Sequence, residues 1–315
     1  MDDVIEPPRP RGRFPAANVA LFLATVATTL WAGFGLSPLA GGARTFANVL
    51  RGGLPFAASL VAILFTHEMG HYLLARRYGV KTTLPYFIPV PFGAGTLGAV
   101  IRMRSAIPSR RAILDIGAAG PLAGLAVAIP LLLVGMGLSE VREIGAASAV
   151  SALDSPWTVL WALLQGRPLV EGAPTLQLLG DSLLTTAARW LVVGRLEPGY
   201  DVVLHPVALA AWLGLLVTAL NLVPLGQLDG GHVLYALFGR RGALLAGQAV
   251  SAGLLLAGVF LSWNWLLWWF LTRFVVGLGH PPALLEEPLG RGRKAVAWVS
   301  FALFLATFVP VPVSF

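Results

Sequence analysis

The sequence predicts an all-α polytopic membrane protein with six to seven transmembrane helices and a small re-entrant β segment. Three observations predict this fold class. Of the 315 residues, 57% are hydrophobic and 12% are charged, whereas a soluble domain carries about 25% charged residues. Seven apolar stretches approach the length of about 20 residues that a helix needs to cross a bilayer. One further apolar stretch is too interrupted by proline and glycine to be a helix.

The candidate spans follow one another along most of the chain. They are Ala16–Leu36, Pro55–Ala75, Ala112–Gly137, Pro206–Val223, Ala243–Leu261, Trp263–Leu278 and Ala295–Val313. The sixth span is short, and its tryptophans are typical of a membrane interface. This Trp cluster comprises Trp263, Trp265, Trp268 and Trp269. The chain is thus divided into a disordered cytosolic tail, 1–15, and one transmembrane domain, 16–315, with a long extracytoplasmic connection at 138–204.

The basic residues predict the orientation. With the N-terminus in the cytosol, the seven spans place most lysines and arginines on the cytosolic side, as the positive-inside rule requires. The net charge of +7 is distributed in small groups between apolar segments, which does not suit a basic groove for nucleic acid. We therefore expect the lipid bilayer as partner and no nucleic acid. The Ala-, Gly- and Arg-rich composition favours a prokaryotic plasma membrane.

The apolar stretch that cannot be a helix lies between the second and third spans. Leu84–Met103 contains Pro85, Pro89 and Pro91, followed by a segment of strand-like composition. Non-helical backbone at membrane depth is tolerated only if it is buried in protein or lines a wet cavity. This segment is therefore expected to form a re-entrant hairpin or small sheet near a functional site.

The motif His67-Glu68-Met69-Gly70-His71 is the clearest chemical signal. Residues four apart share one face of a helix, so that His67 and His71 can reach one metal ion. The chain has no cysteine, which leaves His, Asp and Glu as ligands. Zinc favours imidazole, and Glu68 is placed to act as general base. Two buried histidines without a metal are the simpler alternative, but ionisable groups in lipid are costly.

A third protein ligand is expected on another span. Asp229 follows a hydrophobic span that Pro224 and Gly226 interrupt, and a carboxylate at membrane depth needs a positive partner such as zinc. The alternative for Asp229 is a capping role before a Gly-Gly turn. Asp115 is instead interpreted as a helix-start carboxylate near Arg110 and Arg111.

The motif at 67–71, together with Asn221-Leu-Val-Pro-Leu-Gly-Gln-Leu-Asp229-Gly-Gly, resembles the site-2 protease family of intramembrane zinc metalloproteases. The likeness covers roughly Pro55 to Gly239, the expected catalytic core, and fits the branch without PDZ or CBS domains. It implies that His67, His71 and Asp229 bind one Zn²⁺, that Glu68 is the general base, and that Asn221 holds or polarises the substrate. It also implies a transmembrane protein as substrate.

The remaining candidate residues are interpreted as structural. His205 precedes Pro206 and is expected to cap a helix, His232 to make a hydrogen bond near the metal ligands, and His280 to lie in an exposed loop. The small residues of Gly117–Gly124 resemble a segment often found between the two family motifs. They are expected to let helices pack closely around the metal.

The predicted function is hydrolysis of peptide bonds within or near transmembrane segments. A divalent-cation transporter is the main alternative, but it would spread ionisable residues over several spans. A catalytically idle scaffold does not explain Glu68. The membrane proteases that trim prenylated tails complete their zinc site with Glu, whereas Asp229 stands here in a Leu-Asp-Gly-Gly setting. The sequence specifies neither the substrate nor the oligomeric state.

Overall fold

The fold of this chain is mostly helical. A computed structural model describes residues 15–37, 45–143, 156–165 and 178–314. The helices are α1 Ala16–Leu36, α2 Phe46–Arg77, α3 Arg110–Gly137, α4 Pro156–Leu164, α5 Leu183–Val192, α6 Pro206–Asn221, α7 Asp229–Phe260, α8 Trp263–Phe270, continued by a π-helical segment Leu271–Val276, and α9 Arg291–Thr307. The strands are β1 Tyr86–Pro89, β2 Thr96–Val100, β3 Glu140–Glu143, β4 Leu178–Leu179, β5 Tyr200–Val203 and β6 Val313–Ser314.

Four of these helices, α1, α2, α3 and α7, are long and apolar enough to cross a membrane. The prediction of a helical membrane protein is confirmed, and each of the seven predicted spans contains helix. The count of six to seven spans is not confirmed, because α6, α8 and α9, with 16, 8 and 17 residues, are shorter than the usual span.

The predicted start of the second span is wrong. Helix α2 begins at Phe46 and continues through Pro55, where the sequence predicted its start. Helix α7 consists of two helical segments joined at Gly239, whose φ of 69° is not helical. The segment that contains the predicted span Ala243–Leu261 therefore begins just after Gly239.

Helix α3 lies at the centre of the fold, in contact with α2, α6, α7 and α9. Ile63 of α2, Leu125 and Leu132 of α3, and Leu215 of α6 form one buried cluster. Between helices in a bilayer, such contacts stabilise the arrangement through van der Waals packing. Three helices that carry the two sequence motifs are thereby held against a common neighbour.

The predicted hairpin between α2 and α3 is confirmed. Strands β1 and β2 are antiparallel, with Tyr86 opposite Val100 and Phe87 opposite Ala99. Helix α1 fastens the hairpin at both ends. The side-chain amide of Asn18 donates to the carbonyls of Leu84 and Pro85 at 3.0 and 2.9 Å, and the Thr28 hydroxyl donates to the Gly95 carbonyl at 2.7 Å. The depth of this hairpin in the bilayer stays a prediction.

The predicted long connection, 138–204, contains α4, α5 and three short strands in its described parts. Strand β3 pairs with β5, and β4 pairs with β6 at the C-terminal end. Residues 144–155 and 166–177 lie outside the described residues, as does the predicted tail 1–15 apart from Pro15. The positions of the tail and the connection relative to the membrane stay predictions.

The predicted interfacial belt of tryptophans is wrong for Trp265. Its side chain is buried, its ring stacks on Phe308 with centroids 4.7 Å apart, and its indole N–H donates to the Pro310 carbonyl at 2.7 Å. Trp265 is therefore a core residue. Trp263, in contrast, is 47% exposed.

Candidate metal centre

Helix α2 places His67 and His71 on one buried face. They lie four residues apart, their ring centroids are 5.0 Å from each other, and both side chains are almost fully buried. The helix ends at Arg77, so that the two histidines occupy its last three turns. This is the arrangement that the sequence motif predicted.

A turn between α6 and α7 brings Asp229 to the same point. Helix α6 ends at Asn221, and α7 starts at Asp229. Gly226 in this turn has a φ of 57°, and a Cβ atom there would collide with the Gly277 carbonyl oxygen. A side chain at this position would therefore meet both backbone strain and a steric clash. The break in the helix that the sequence predicted is present, and it presents Asp229 at the first position of a new helix.

The three side chains present their donor atoms to one another as a nearly equilateral triangle. The Nε2 atoms of His67 and His71 are 3.2 Å apart, and the Asp229 Oδ2 atom lies 3.3 Å from the first and 3.2 Å from the second. Ligands about 2.0–2.1 Å from a tetrahedral zinc ion lie about 3.3 Å from each other. The triangle therefore has the size of one face of a zinc tetrahedron, and these residues fit the ion.

A backbone contact fixes the orientation of the second imidazole. His71 Nδ1 lies 2.7 Å from the carbonyl oxygen of Ile116 on α3. A carbonyl oxygen accepts only, so Nδ1 carries a proton, and Nε2 is the ring nitrogen that faces the triangle. Metal-binding histidines usually donate their other N–H in this way. The contact with Ile116 was not predictable from the sequence, because a backbone carbonyl leaves no signature in the residue type.

Glycines on α3 make room for the ligands on α2. A Cβ atom at Gly120 would collide with the imidazole of His71, and one at Gly124 would come within 3.2 Å of the His67 ring. At Gly117 a Cβ atom would lie 2.7 Å from the Cβ of His232. The predicted role of Gly117–Gly124 in close helix packing is confirmed.

Glu68 and Asn221 border the triangle. Glu68 is buried, and its carboxylate interacts with the backbone of Ile101, one residue beyond β2. The Asn221 side-chain nitrogen lies 3.4 Å from His67 Nε2. The structure therefore brings together all five residues that the sequence singled out. It also places the hairpin beside them.

Asp115 is a structural carboxylate, as predicted, but its predicted partners are wrong. Its oxygens accept hydrogen bonds from the Arg293 guanidinium of α9, the shortest at 2.8 Å, and from the Tyr78 hydroxyl. Arg110 and Arg111 instead pair with glutamates of a later loop. Partial burial and the hydrogen bond to Asp115 raise the pKa of Tyr78. The prediction failed because it considered only neighbours in sequence.

The exposed position predicted for His280 is wrong, because its loop folds back over α7. His280 is only 9% exposed, its Nε2 lies 2.5 Å from Nδ1 of His232, and its ring stacks on Tyr235. Burial lowers the pKa of His280. The predicted hydrogen bond of His232 is present, but its partner is His280 rather than a member of the triangle. The Gly-His-Pro-Pro sequence around His280 was the feature that could have indicated a buried, ordered loop.

His205 is the N-cap of α6, as predicted. Its Nδ1 atom accepts from the Val207 backbone amide at 3.3 Å. Partial burial lowers the pKa of this imidazole, so the neutral form that accepts this hydrogen bond is favoured. His205 lies at the opposite end of α6 from Asn221 and thus away from the triangle.

Comparison with known proteins agrees with this geometry. Residues 55–263 match the model of peptidase family M50, a range that includes both motifs and all five site residues. The chain belongs to peptidase family M50. The resemblance to site-2 proteases is thereby confirmed.

Several curated plant proteins are similar to this M50 member. It is 30% identical over 268 residues to "Probable zinc metalloprotease EGY2, chloroplastic" of Arabidopsis thaliana, covering 85% of this chain and 43% of the relative. It is 32% identical to EGY1 of Oryza sativa subsp. japonica, covering 82% and 41%, and 33% identical to EGY1 of Arabidopsis thaliana, covering 82% and 43%. The M50 chain thus spans less than half the length of these relatives. No solved structure matches it.

Proposed function

We propose that this M50 member is an intramembrane zinc protease that cleaves transmembrane proteins within or near their membrane segments. The observation that carries the proposal is the triangle of His67, His71 and Asp229, with Glu68 beside it, on apolar helices. The relatives are named zinc metalloproteases, and zinc is the cofactor that this donor set suits.

Each residue of the site has a proposed role. His67, His71 and Asp229 hold one Zn²⁺, which when bound polarises the scissile carbonyl and activates water. The Glu68 carboxylate takes a proton from the attacking water and delivers it to the leaving nitrogen. The Asn221 side-chain N–H groups donate to the substrate carbonyl oxygen, where negative charge develops. Asp115 has no part in this scheme.

The membrane arrangement is also proposed. The N-terminus and the Arg76–Arg77 end of α2 face the cytosol of a prokaryotic cell, and the core comprises 55–239 with six to seven spans in all. His71 lies six residues before the end of α2, which corresponds to about 9 Å of helix. Water therefore has a short path from the cytosolic face. The chloroplast is named only for the relatives.

We propose that substrate binds along the outer edge of β2, the edge that does not pair with β1. Among the described strands, β2 pairs only with β1. The backbone groups of Arg102 are turned towards Thr83, so that those of Ile101 point the other way, towards Glu68. An unwound substrate segment can add to this edge through backbone hydrogen bonds. It would then run past Glu68 and the triangle with its carbonyls accessible.

A divalent-cation transporter was the alternative, and the family assignment gives it no support. Within the described helices, the carboxylates and imidazoles of α2 and α7 form the triangle and its neighbours, whereas the Asp115 carboxylate of α3 pairs with Arg293. A pathway would need sites at several depths.

The test is zinc content and cleavage of a tagged transmembrane substrate by the protein in lipid vesicles. Glu68→Gln should retain zinc, while its cleavage rate falls by about 10²–10⁴-fold, the usual contribution of a general base. Glu140→Gln, an exposed matched change on β3, should cleave as fast as the wild type. Cleavage by Glu68→Gln at a near-normal rate would refute the proposed role.

A further inference from the structure

Three basic residues lie where the hairpin ladder continues past β1 and β2. Thr82 bridges Met103, the Thr83 amide donates to the Arg102 carbonyl at 3.1 Å, and the Arg104 amide donates to the Lys81 carbonyl at 2.7 Å. The two-stranded pairing therefore extends from the active site to the end of α2 that carries Arg76 and Arg77.

The side chains of Arg102 and Arg104 lie on one face of this ladder. Side chains alternate along a strand, and the exposures follow that rule. Val100, Arg102 and Arg104 are exposed, whereas Ile101 and Met103 are partly buried. Lys81, also exposed, lies opposite Arg104. Lys81, Arg102 and Arg104 thus form a basic cluster on the exposed face.

This basic cluster has no carboxylate partner among the described residues. The nearby Arg110, Arg111 and Arg293 each form an ion pair, with N–O distances of 3.9, 3.1 and 2.8 Å. The sequence from 69 to 114 contains no Asp or Glu. Like charges directly opposite on a ladder are destabilising, so the fold gains no stability from the pair of Lys81 and Arg104. An anionic ligand would relieve this repulsion.

Ile101 shows where the basic cluster lies relative to the bond that is cleaved. The backbone groups of Arg102 face Thr83, so those of Ile101 face the outer edge of the ladder, on the side of α2 and Glu68. A peptide added to the β2 edge therefore has its reacting bond level with Ile101. The next two exposed side chains on the ladder are those of Arg102 and Arg104. They would meet substrate residues that lie just past the reacting bond, towards the Arg76–Arg77 end of α2.

We propose that Lys81, Arg102 and Arg104 form a specificity subsite for acidic side chains of the substrate. The proposal rests on the proposed protease function and on substrate addition to β2. Because facing side chains on adjacent strands share one side of a sheet, the subsite takes Asp or Glu at two alternate positions on the cytosolic side of the cleaved bond. A peptide is favoured over lipid headgroups because the arginines repeat with the period of a strand.

The test uses the full chain in phosphatidylcholine vesicles and model substrates that share one transmembrane segment. Their cytosolic flanks carry Glu-x-Glu, Gln-x-Gln or Lys-x-Lys, and one further substrate has Glu-x-Glu shifted by one residue. Relative kcat/KM values come from competition between substrates. For the wild type we expect the Glu-x-Glu substrate to exceed the Gln-x-Gln substrate by about three- to tenfold, the size of two exposed cross-strand pairs, and the shifted substrate to lose this advantage.

The second part of the test reverses the charge of the two arginines. Arg102→Glu together with Arg104→Glu should invert the order, so that the Lys-x-Lys substrate is cleaved fastest. Arg240→Glu with Arg241→Glu, the same charge change on exposed residues of α7, should keep the wild-type order. If reversal impairs folding, as zinc content reports, Arg102→Gln with Arg104→Gln should bring the ratio of Glu-x-Glu to Gln-x-Gln towards one.

Three results would overturn the subsite. In the first, the wild type cleaves all substrates at equal kcat/KM. In the second, phosphatidylglycerol raises cleavage of every substrate alike and charge reversal removes only that effect, which assigns the cluster to lipid headgroups. In the third, the wild type cleaves no substrate faster than Glu68→Gln does, which refutes the protease function as well. The first two leave that function intact.

Discussion

Asp229 and Asp115 are carboxylates on two neighbouring apolar helices, and they differ in what faces them. Asp115 meets a guanidinium and a phenol at the Arg76–Arg77 end of the helices. Among the described residues, Asp229 forms its ion pairs with the imidazoles of His67 and His71. Asp115 is thus paired with a permanently charged guanidinium, whereas Asp229 faces two side chains of a type that commonly binds zinc. This difference agrees with the proposed roles of Asp115 as a structural carboxylate and of Asp229 as a zinc ligand.

The largest expected effect is that of Asp229→Ala. Loss of one of three protein ligands should abolish stoichiometric zinc binding and, with it, cleavage. Zinc per protein after gel filtration, measured alongside cleavage, checks this. Retention of one zinc per chain by Asp229→Ala would show that another residue completes the site.

An intermediate effect is expected from Gly120→Ala. The added methyl group would collide with the His71 imidazole, and displacement of a ligand by such a change should cost about 10–100-fold in zinc affinity. Competition with a chelator measures it. Gly253→Ala, on an open face of α7, is the matched control and should leave zinc affinity as in the wild type. Equal affinities for the two variants would contradict the close approach of α3 to His71.

The smallest effect is expected from Asp115→Asn. Its ion pair with Arg293 is partly exposed, and such pairs contribute about 1 kcal/mol or less to stability. The melting temperature should fall by a few degrees, while zinc content and the cleavage rate at low temperature stay at wild-type values. Loss of zinc from Asp115→Asn would erase the distinction between the two carboxylates.

Much of the site was predictable because its information is local. The spacing of His67 and His71 on one helix and the prolines and glycines before Asp229 are features of short segments, and the structure assembles them as expected. The helical nature of the seven apolar stretches and the hairpin between α2 and α3 were predictable for the same reason.

What sequence reasoning missed depends on contacts between distant segments. The partner of Asp115 lies 178 residues away on α9, and His280 is buried by a fold-back of its loop onto Tyr235. In each case the tertiary environment determined the outcome, and no short-range pattern records it.

The hydrogen bonds from Asn18 and Thr28 have a consequence for how a peptide reaches the hairpin. They hold α1 against β1, so one edge of the hairpin is covered, whereas no strand in the described part of the chain pairs with the β2 edge. A peptide can therefore pair with the hairpin at the β2 edge and not at the β1 edge. Because α1 lies outside the range that matches the family, a truncated chain starting at Pro55 would expose both edges, and a peptide bound at the β1 edge would lie on the far side of the sheet from Glu68.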